Sequence, residues 1–220
     1  MKLHFQVLAV AVFLSSSSSH VAFSQANDAR PSIVLRDVRY FHRWSQAEQH
    51  EFTPEKQDDL TRWTDMITVN GYPDARDGDA LAAKANAVLE TYKSHQGIVM
   101  KTSSVPRTPD RPAEHFVAVV FGRPAFIEAV FARIKMVDGA GCSIVYSHRI
   151  YGEKIGDQMS AWLGANGAAI EKALMDLSAF PSPKSLRGAT PGSRAATEQP
   201  APRRRAERGE NTDRAARFAG

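Results

Sequence analysis

The stretch from Phe126 to Gly152, FIEAVFARIKMVDGAGCSIVYSHRIYG, constrains the fold more than any other. Two runs rich in Val, Ile, Phe and Tyr flank Asp138-Gly139-Ala140-Gly141, and Asp-Gly supplies the positive-φ positions that a tight reversal needs. The spacing predicts a long β-hairpin. In its first arm Phe126, Val130, Ile134 and Met136 broadly alternate with Glu128, Arg133 and Lys135. In its second arm Ile144, Tyr146, His148 and Ile150 alternate with Ser143, Val145, Ser147 and Arg149.

The remaining elements follow from periodicity and punctuation. Ile33 to Trp44 reads as one strand, Ser45 to Glu48 as a turn, and His50 to Phe52 as a short returning strand. Thr53-Pro54-Glu55 has the form of a helix start, with Thr as N-cap, Pro where no donor is missed, and an acid near the positive end of the dipole. A short helix to Trp63 is expected there. Asp65 to Tyr72 alternates as a strand. An amphipathic helix follows, with Asp79 as candidate N-cap, Leu81, Ala85, Val88, Leu89 and Tyr92 on one face, and Gly97 beyond its end. Ile98 to Val105 is a further strand, and Pro106 to Pro112 a stiff exposed loop. The continuous apolar run His115 to Gly122 suits a strand buried on both faces in the middle of a sheet. Gly156 to Leu177 closes the domain as a helix, with a kink expected at Asn166-Gly167 because Gly is about 1 kcal/mol worse than Ala inside a helix.

Strands joined by hairpins and interrupted by helices describe an α+β domain: an antiparallel β-sheet with a long β-hairpin, covered by two or three helices. The order strands, helix, several antiparallel strands and closing helix, over Ile33 to Leu177, resembles that of the PsbP-like and DcrB-like domains. The resemblance implies a domain of that plan, in a group that includes exported bacterial members and in which many members are non-catalytic accessory proteins. It carries over no site residue.

Residues 1–26 have the three regions of a secretory signal peptide: Lys2, the apolar run Phe5 to Leu14, and Phe23-Ser24-Gln25-Ala26 with small residues at the cleavage positions. That apolar run is about ten residues, short of the roughly 20 that cross a bilayer. Cleavage after Ala26 and a periplasmic or extracellular destination are expected, with no transmembrane helix left. Cys142 is the only cysteine, so no intrachain disulfide forms and the domain relies on its core. Residues 27–180 carry 18 Lys and Arg against 20 Asp and Glu; residues 181–220 carry 9 against 4. The basic balance of the whole chain thus comes from its end. Residues 27–180 form one domain, and 181–220, rich in Pro, Ser, Gly, Ala and Arg, are expected to be a disordered C-terminal tail. Arg203, Arg204 and Arg205 within it suit an anionic envelope component; nucleic acid is not expected to meet an exported protein.

No stretch spells out a specific chemistry. His42, His50, His95, His115 and His148 have no zinc spacing, and no glycine-flanked serine elbow occurs. Asp74, Asp77 and Asp79 lack the closing Glu of a calcium loop. Neither a metal site nor a cofactor is expected. Two readings remain. One is a non-enzymatic exported accessory or binding protein, with Trp44 and Trp63 at element ends where a groove would open. The other is a hydrolase centred on His148 with Tyr146, Arg149 and an unidentified carboxylate, since the second hairpin arm is where these side chains gather.

Overall fold

The computed structural model describes residues 30–189, so residues 1–26, where a signal peptide is expected, and Arg203 to Arg205 in the expected tail lie outside the described residues. The chain is an α+β protein. Its elements are β1 (Ser32–Leu35), β2 (Val38–Gln46), β3 (Gln49–Pro54), β4 (Asp65–Tyr72), α1 (Gly78–Ser94), β5 (Ile98–Val105), β6 (Glu114–Arg123), β7 (Phe126–Val137), β8 (Ala140–Tyr151), α2 (Gly156–Asp176) and the single turn α3 (Pro183–Leu186). The strands form one antiparallel sheet in the order β1-β2-β3-β4-β8-β7-β6-β5. The β7–β8 hairpin is in register from Phe126↔Tyr151 to Val137↔Ala140. Its turn residues Asp138 and Gly139 both have positive φ, 51° and 77°, the twist that matches the flanking strands.

Each face of the sheet has its own apolar cluster. On one, α1 lays Leu81 and Ala85 on Val117, Val119, Val130, Ala132 and Ile134. On the other, α2 brings Met159, Ile170 and Leu174 onto Ile67, Phe116, Phe131, Ile144 and Tyr146, and Leu186 of α3 joins the same cluster beside Phe52. We call these the α1 face and the α2 face. Both clusters use alternate residues of the same strands, as the pleat requires.

Several expectations are corrected. Ile33 to Trp44 is two strands, because Arg36 and Asp37 turn the chain at φ 48° and 63°; no glycine marks the reversal, and aspartate tolerates that region better than most residues. No helix forms from Thr53 to Trp63. Thr53 and Pro54 end β3, the Thr53 hydroxyl donates to the Gln57 carbonyl, Arg43 donates to the carbonyls of Pro54 and Glu55, and Gln57 Oε1 accepts from the backbone N–H of Thr64 and Asp65. Side chains satisfy a backbone that has too few apolar positions to hold a helix on the sheet. The α1 N-cap is Asp77, whose Oδ1 accepts from Ala80 N at 2.8 Å; Asp79 sits in the first turn. Strand β6 lies one place from the edge, between β7 and β5. Helix α2 runs through Asn166 and Gly167 without a break, since burying Ile170 and Leu174 outweighs the cost of one glycine. The folded chain also continues past Phe180, with Pro183 and Leu186 of α3 buried.

Glycine is required at one helix exit. Gln96 takes the left-handed position after α1 at φ 65°, and Gly97 N–H closes onto Tyr92 O at 2.9 Å. A Cβ on Gly97 would sit 2.8 Å from the Phe121 ring and 2.8 Å from Tyr92 O. Gly97→Ala is expected to cost about 1–3 kcal/mol, as overpacking does, read as a lower urea midpoint with an unchanged slope.

Among the described residues no helix is long and apolar enough to cross a membrane.

Candidate functional site

Strand register builds the site. The partner of His148 on β8 is Asp65, the first residue of β4, and both project onto the α2 face with Tyr146 two residues along. His148 Nδ1 donates to Asp65 Oδ1 at 2.9 Å, and the Tyr146 hydroxyl donates to the same oxygen at 2.6 Å. The imidazole stacks on the indole of Trp162 from α2, with ring centroids 3.9 Å apart and planes 1° from parallel. Among the described residues none bonds its Nε2.

These groups line a pocket of about 340 Å³ between the β1–β2 hairpin and α2, together with Leu35, Arg36, Val38, Tyr40, Asn166 and Ile170. Arg36, displaced outward by the tight turn, crosses to α2 and donates to Asn166 Oδ1 at 3.2 Å. Burial pushes the Asp65 carboxyl up, but the hydrogen bonds from His148 and Tyr146 outweigh it, and the group rests below the ordinary carboxylate range. Burial and the nearby Asp65 charge push both the Tyr146 and Tyr40 phenols well up, so both stay neutral at any physiological pH. The pocket therefore holds an ionised carboxylate fixed between a phenol and an imidazole, inside aromatic walls. A larger cleft of about 600 Å³ runs between β1 and the end of α2 and shares Leu35 and Arg36 with the pocket. Its other walls are mainly backbone and apolar groups, with Asp176 at one side, so the chemistry concentrates in the smaller cavity.

Of the residues singled out in the sequence, His148 and Tyr146 meet here, and the carboxylate that the sequence could not identify is Asp65. Arg149 does not join them. It alternates onto the α1 face, where Nε donates to Glu128 at 2.8 Å and the guanidinium lies 3.9 Å from the Trp63 ring centre and 4.3 Å from that of Phe126. Trp63 is 4 % exposed under that arginine, so it is a packing residue. Trp44 is half-buried, pairs with Glu51 beyond a bulge in β2, and does not line the His148 pocket. Sequence spacing does not set Trp162 and Tyr40 apart from other core aromatics, nor single out Arg36, because their approach to His148 depends on how α2 and the first hairpin fold over the sheet.

No family model matches the sequence, and no curated protein matches it. Among solved structures the chain is similar to the Saccharomyces cerevisiae Ran-binding protein Mog1p, with a TM-score of 0.42 and 13% identity over 63% of this chain and 82% of that one. It is similar also to human STARD10, with a TM-score of 0.24 and 10% identity over 68% of this chain and 76% of that one.

Proposed function

We propose that the protein is an exported, non-enzymatic accessory or binding protein that holds a small donor-bearing ligand in the Asp65–Tyr146–His148 pocket. One observation carries this reading: a carboxylate hub faces a cavity of about 340 Å³ walled by Tyr40 and Trp162, which is the usual make-up of a small-molecule site, with apolar walls and a few convergent polar groups. Export rests on the leader-like first 26 residues, and the accessory role on the resemblance of element order to PsbP-like and DcrB-like domains. The proposed binding surface moves from Trp44 and Trp63 to this pocket.

The test is a thermal-shift and calorimetric screen of the full chain against small amines, sugars and polyols. A hydrogen bond to a charged group contributes about 1.5–3 kcal/mol, so Asp65→Asn is expected to weaken a true pocket ligand roughly 10- to 100-fold. A ligand whose affinity ignores that change binds elsewhere.

A second reading, a hydrolase centred on His148, is favoured by the Asp65–His148 pair. The carboxylate fixes Nδ1 as the donor and leaves Nε2 to act as a general base toward a bound water. In that case ester turnover by the full chain would vanish in His148→Asn, whereas binding without turnover in either protein supports the first reading.

A further inference from the structure

On the α2 face, away from the pocket, two histidines lie fully inside the protein. His42 is 0 % and His50 1 % exposed. Ser45 joins them: its hydroxyl is 2.7 Å from His42 Nε2 and 2.7 Å from His50 Nδ1. The remaining ring nitrogens, His42 Nδ1 and His50 Nε2, are buried without a hydrogen-bond partner. A serine hydroxyl can donate to only one ring and accept from the other. Whichever direction the chain takes, one orphan nitrogen is an N–H donor and the other a lone pair. An added proton would place a charged imidazolium in an apolar interior, with an unbonded N–H at His50 and only the Trp44 backbone to offset the cost at His42.

The C-terminal segment Leu177–Ala189 lies on this face. Leu186, Phe180 and Ala189 pack into the cluster that contains Phe52 and Ile67. Arg187 is tied to Glu48 on the β2–β3 turn by two bonds, Nε to Oε1 at 2.9 Å and Nη2 to Oε2 at 3.1 Å. A Cβ on Gly71 would meet both Glu48 and Pro183, so the segment and the turn close over bare backbone at that point.

We propose that Leu177–Ala189 is an acid-released strap, latched near neutral pH by the buried His42–Ser45–His50 chain and the Glu48–Arg187 pair. The groups around the imidazoles are few. His50 meets the opposed charges of Glu48 and Arg187, and α3 adds only the exposed Lys184. On this face β1 offers Ile33 and Leu35, β2 the neutral phenol of Tyr40, β4 Ile67 and Val69 with Asp65 already bonded at the far end, and α2 Met159, Ile170 and Leu174. Burial lowers both histidines from 6.5; at His42 the neighbouring His50 adds to this and the Trp44 backbone opposes it, while at His50 the Glu48 charge opposes it and Arg187 adds to it. The sign follows. Above 6.5 the open and closed forms are both neutral and the latch is intact; as pH falls below 6.5 the open form takes up protons that the closed form refuses, and the strap is lost. Each imidazole shifts the ratio by up to about tenfold per pH unit in that window, so two give up to about a hundredfold. Because Leu177 to Pro181 also form one wall of the cleft of about 600 Å³, release opens that cleft and uncovers the apolar surface around Phe52.

Hydrogen exchange on the full chain at pH 7.5 and 5.5, corrected for intrinsic rates, tests this. Protection of residues 177–189 is expected to fall roughly ten- to a hundredfold at the lower pH while β7 and β8 keep theirs. In His42→Phe/His50→Leu the pH dependence disappears, and in Glu48→Gln the strap is looser at both pH values but the dependence stays. Equal strap protection at both pH values in the wild type overturns the proposal, as does a pH-dependent opening that survives loss of both histidines. Should the double variant not fold, wild-type ring-proton NMR decides. The His42 and His50 signals must change together with the strap amides; simple titration near 6.5 with the strap unmoved is the contrary result.

Discussion

Replacing Arg133 by alanine is expected to cost about 3–5 kcal/mol of folding free energy, the usual loss when one partner of a buried ion pair is removed. Arg133 is 5 % and Glu114 7 % exposed. The guanidinium bonds Glu114 Oε2 through Nε at 2.8 Å and Nη2 at 2.7 Å, while Nη1 donates to the carbonyls of Leu174 at 3.0 Å and Leu177 at 2.8 Å. One side chain thus neutralises a buried carboxylate, satisfies the Leu177 carbonyl just past the end of α2, and adds a second bond to the Leu174 carbonyl, which already accepts from Leu177 N–H at 3.3 Å. Lys135, 3.7 Å from the other Glu114 oxygen, is too distant to replace it. Arg133→Met with Glu114→Gln, which leaves no buried charge, should recover a large part of the loss. Urea unfolding followed by tryptophan fluorescence measures both, and a loss below about 1 kcal/mol in Arg133→Ala would show the pair to behave like a screened surface contact.

Phe131→Ala is the second large effect, about 3–5 kcal/mol for emptying an aromatic core position. Phe131 is 5 % exposed, and its ring stands 6.4 Å from Phe116, 6.2 Å from Tyr146 and 6.4 Å from Trp162 between centroids. It therefore supports two walls of the pocket as well as the core. The variant should lose near-UV circular dichroism arising from the Trp162–His148 stack in addition to stability. A stability loss with an unchanged near-UV spectrum would mean that α2 holds Trp162 without help from the sheet.

What the sequence revealed was mostly local. Asp138-Gly139 between two β-rich runs is a hairpin wherever it is placed; the bounds of β4 follow from alternation closed by Gly and Pro, and those of β5 from Gly97 before it and Pro106 after it. Arg36-Asp37 carries no such mark, so a real reversal stayed hidden inside a continuous apolar pattern. Thr53-Pro54 shows the converse: a good capping pattern without an apolar stripe behind it does not make a helix. Arg133 alternates like a solvent-facing residue, yet it is buried because α2 ends above it with carbonyls to satisfy. For the site, His148 and Tyr146 could be picked out as side chains two apart on one strand. Their carboxylate could not, since Asp65 is 83 residues away and reaches His148 only through the β4–β8 pairing. The strap was read as part of a tail because Pro181 to Ala189 is poor in apolar residues, and a single leucine, Leu186, anchors it.

Every strand in the sheet lies beside its neighbour in sequence except where β4 meets β8. Strands β1 to β4 and β5 to β8 are thus two meanders, each able to assemble from short-range contacts, and the join between them closes the longest loop and carries the largest entropic cost. Asp65 and His148 stand on opposite sides of that join. The pocket consequently has no existence in either meander and arises only when the two dock, so a molecule that binds there recognises the finished protein alone and, by mass action, pulls the last step of folding to completion.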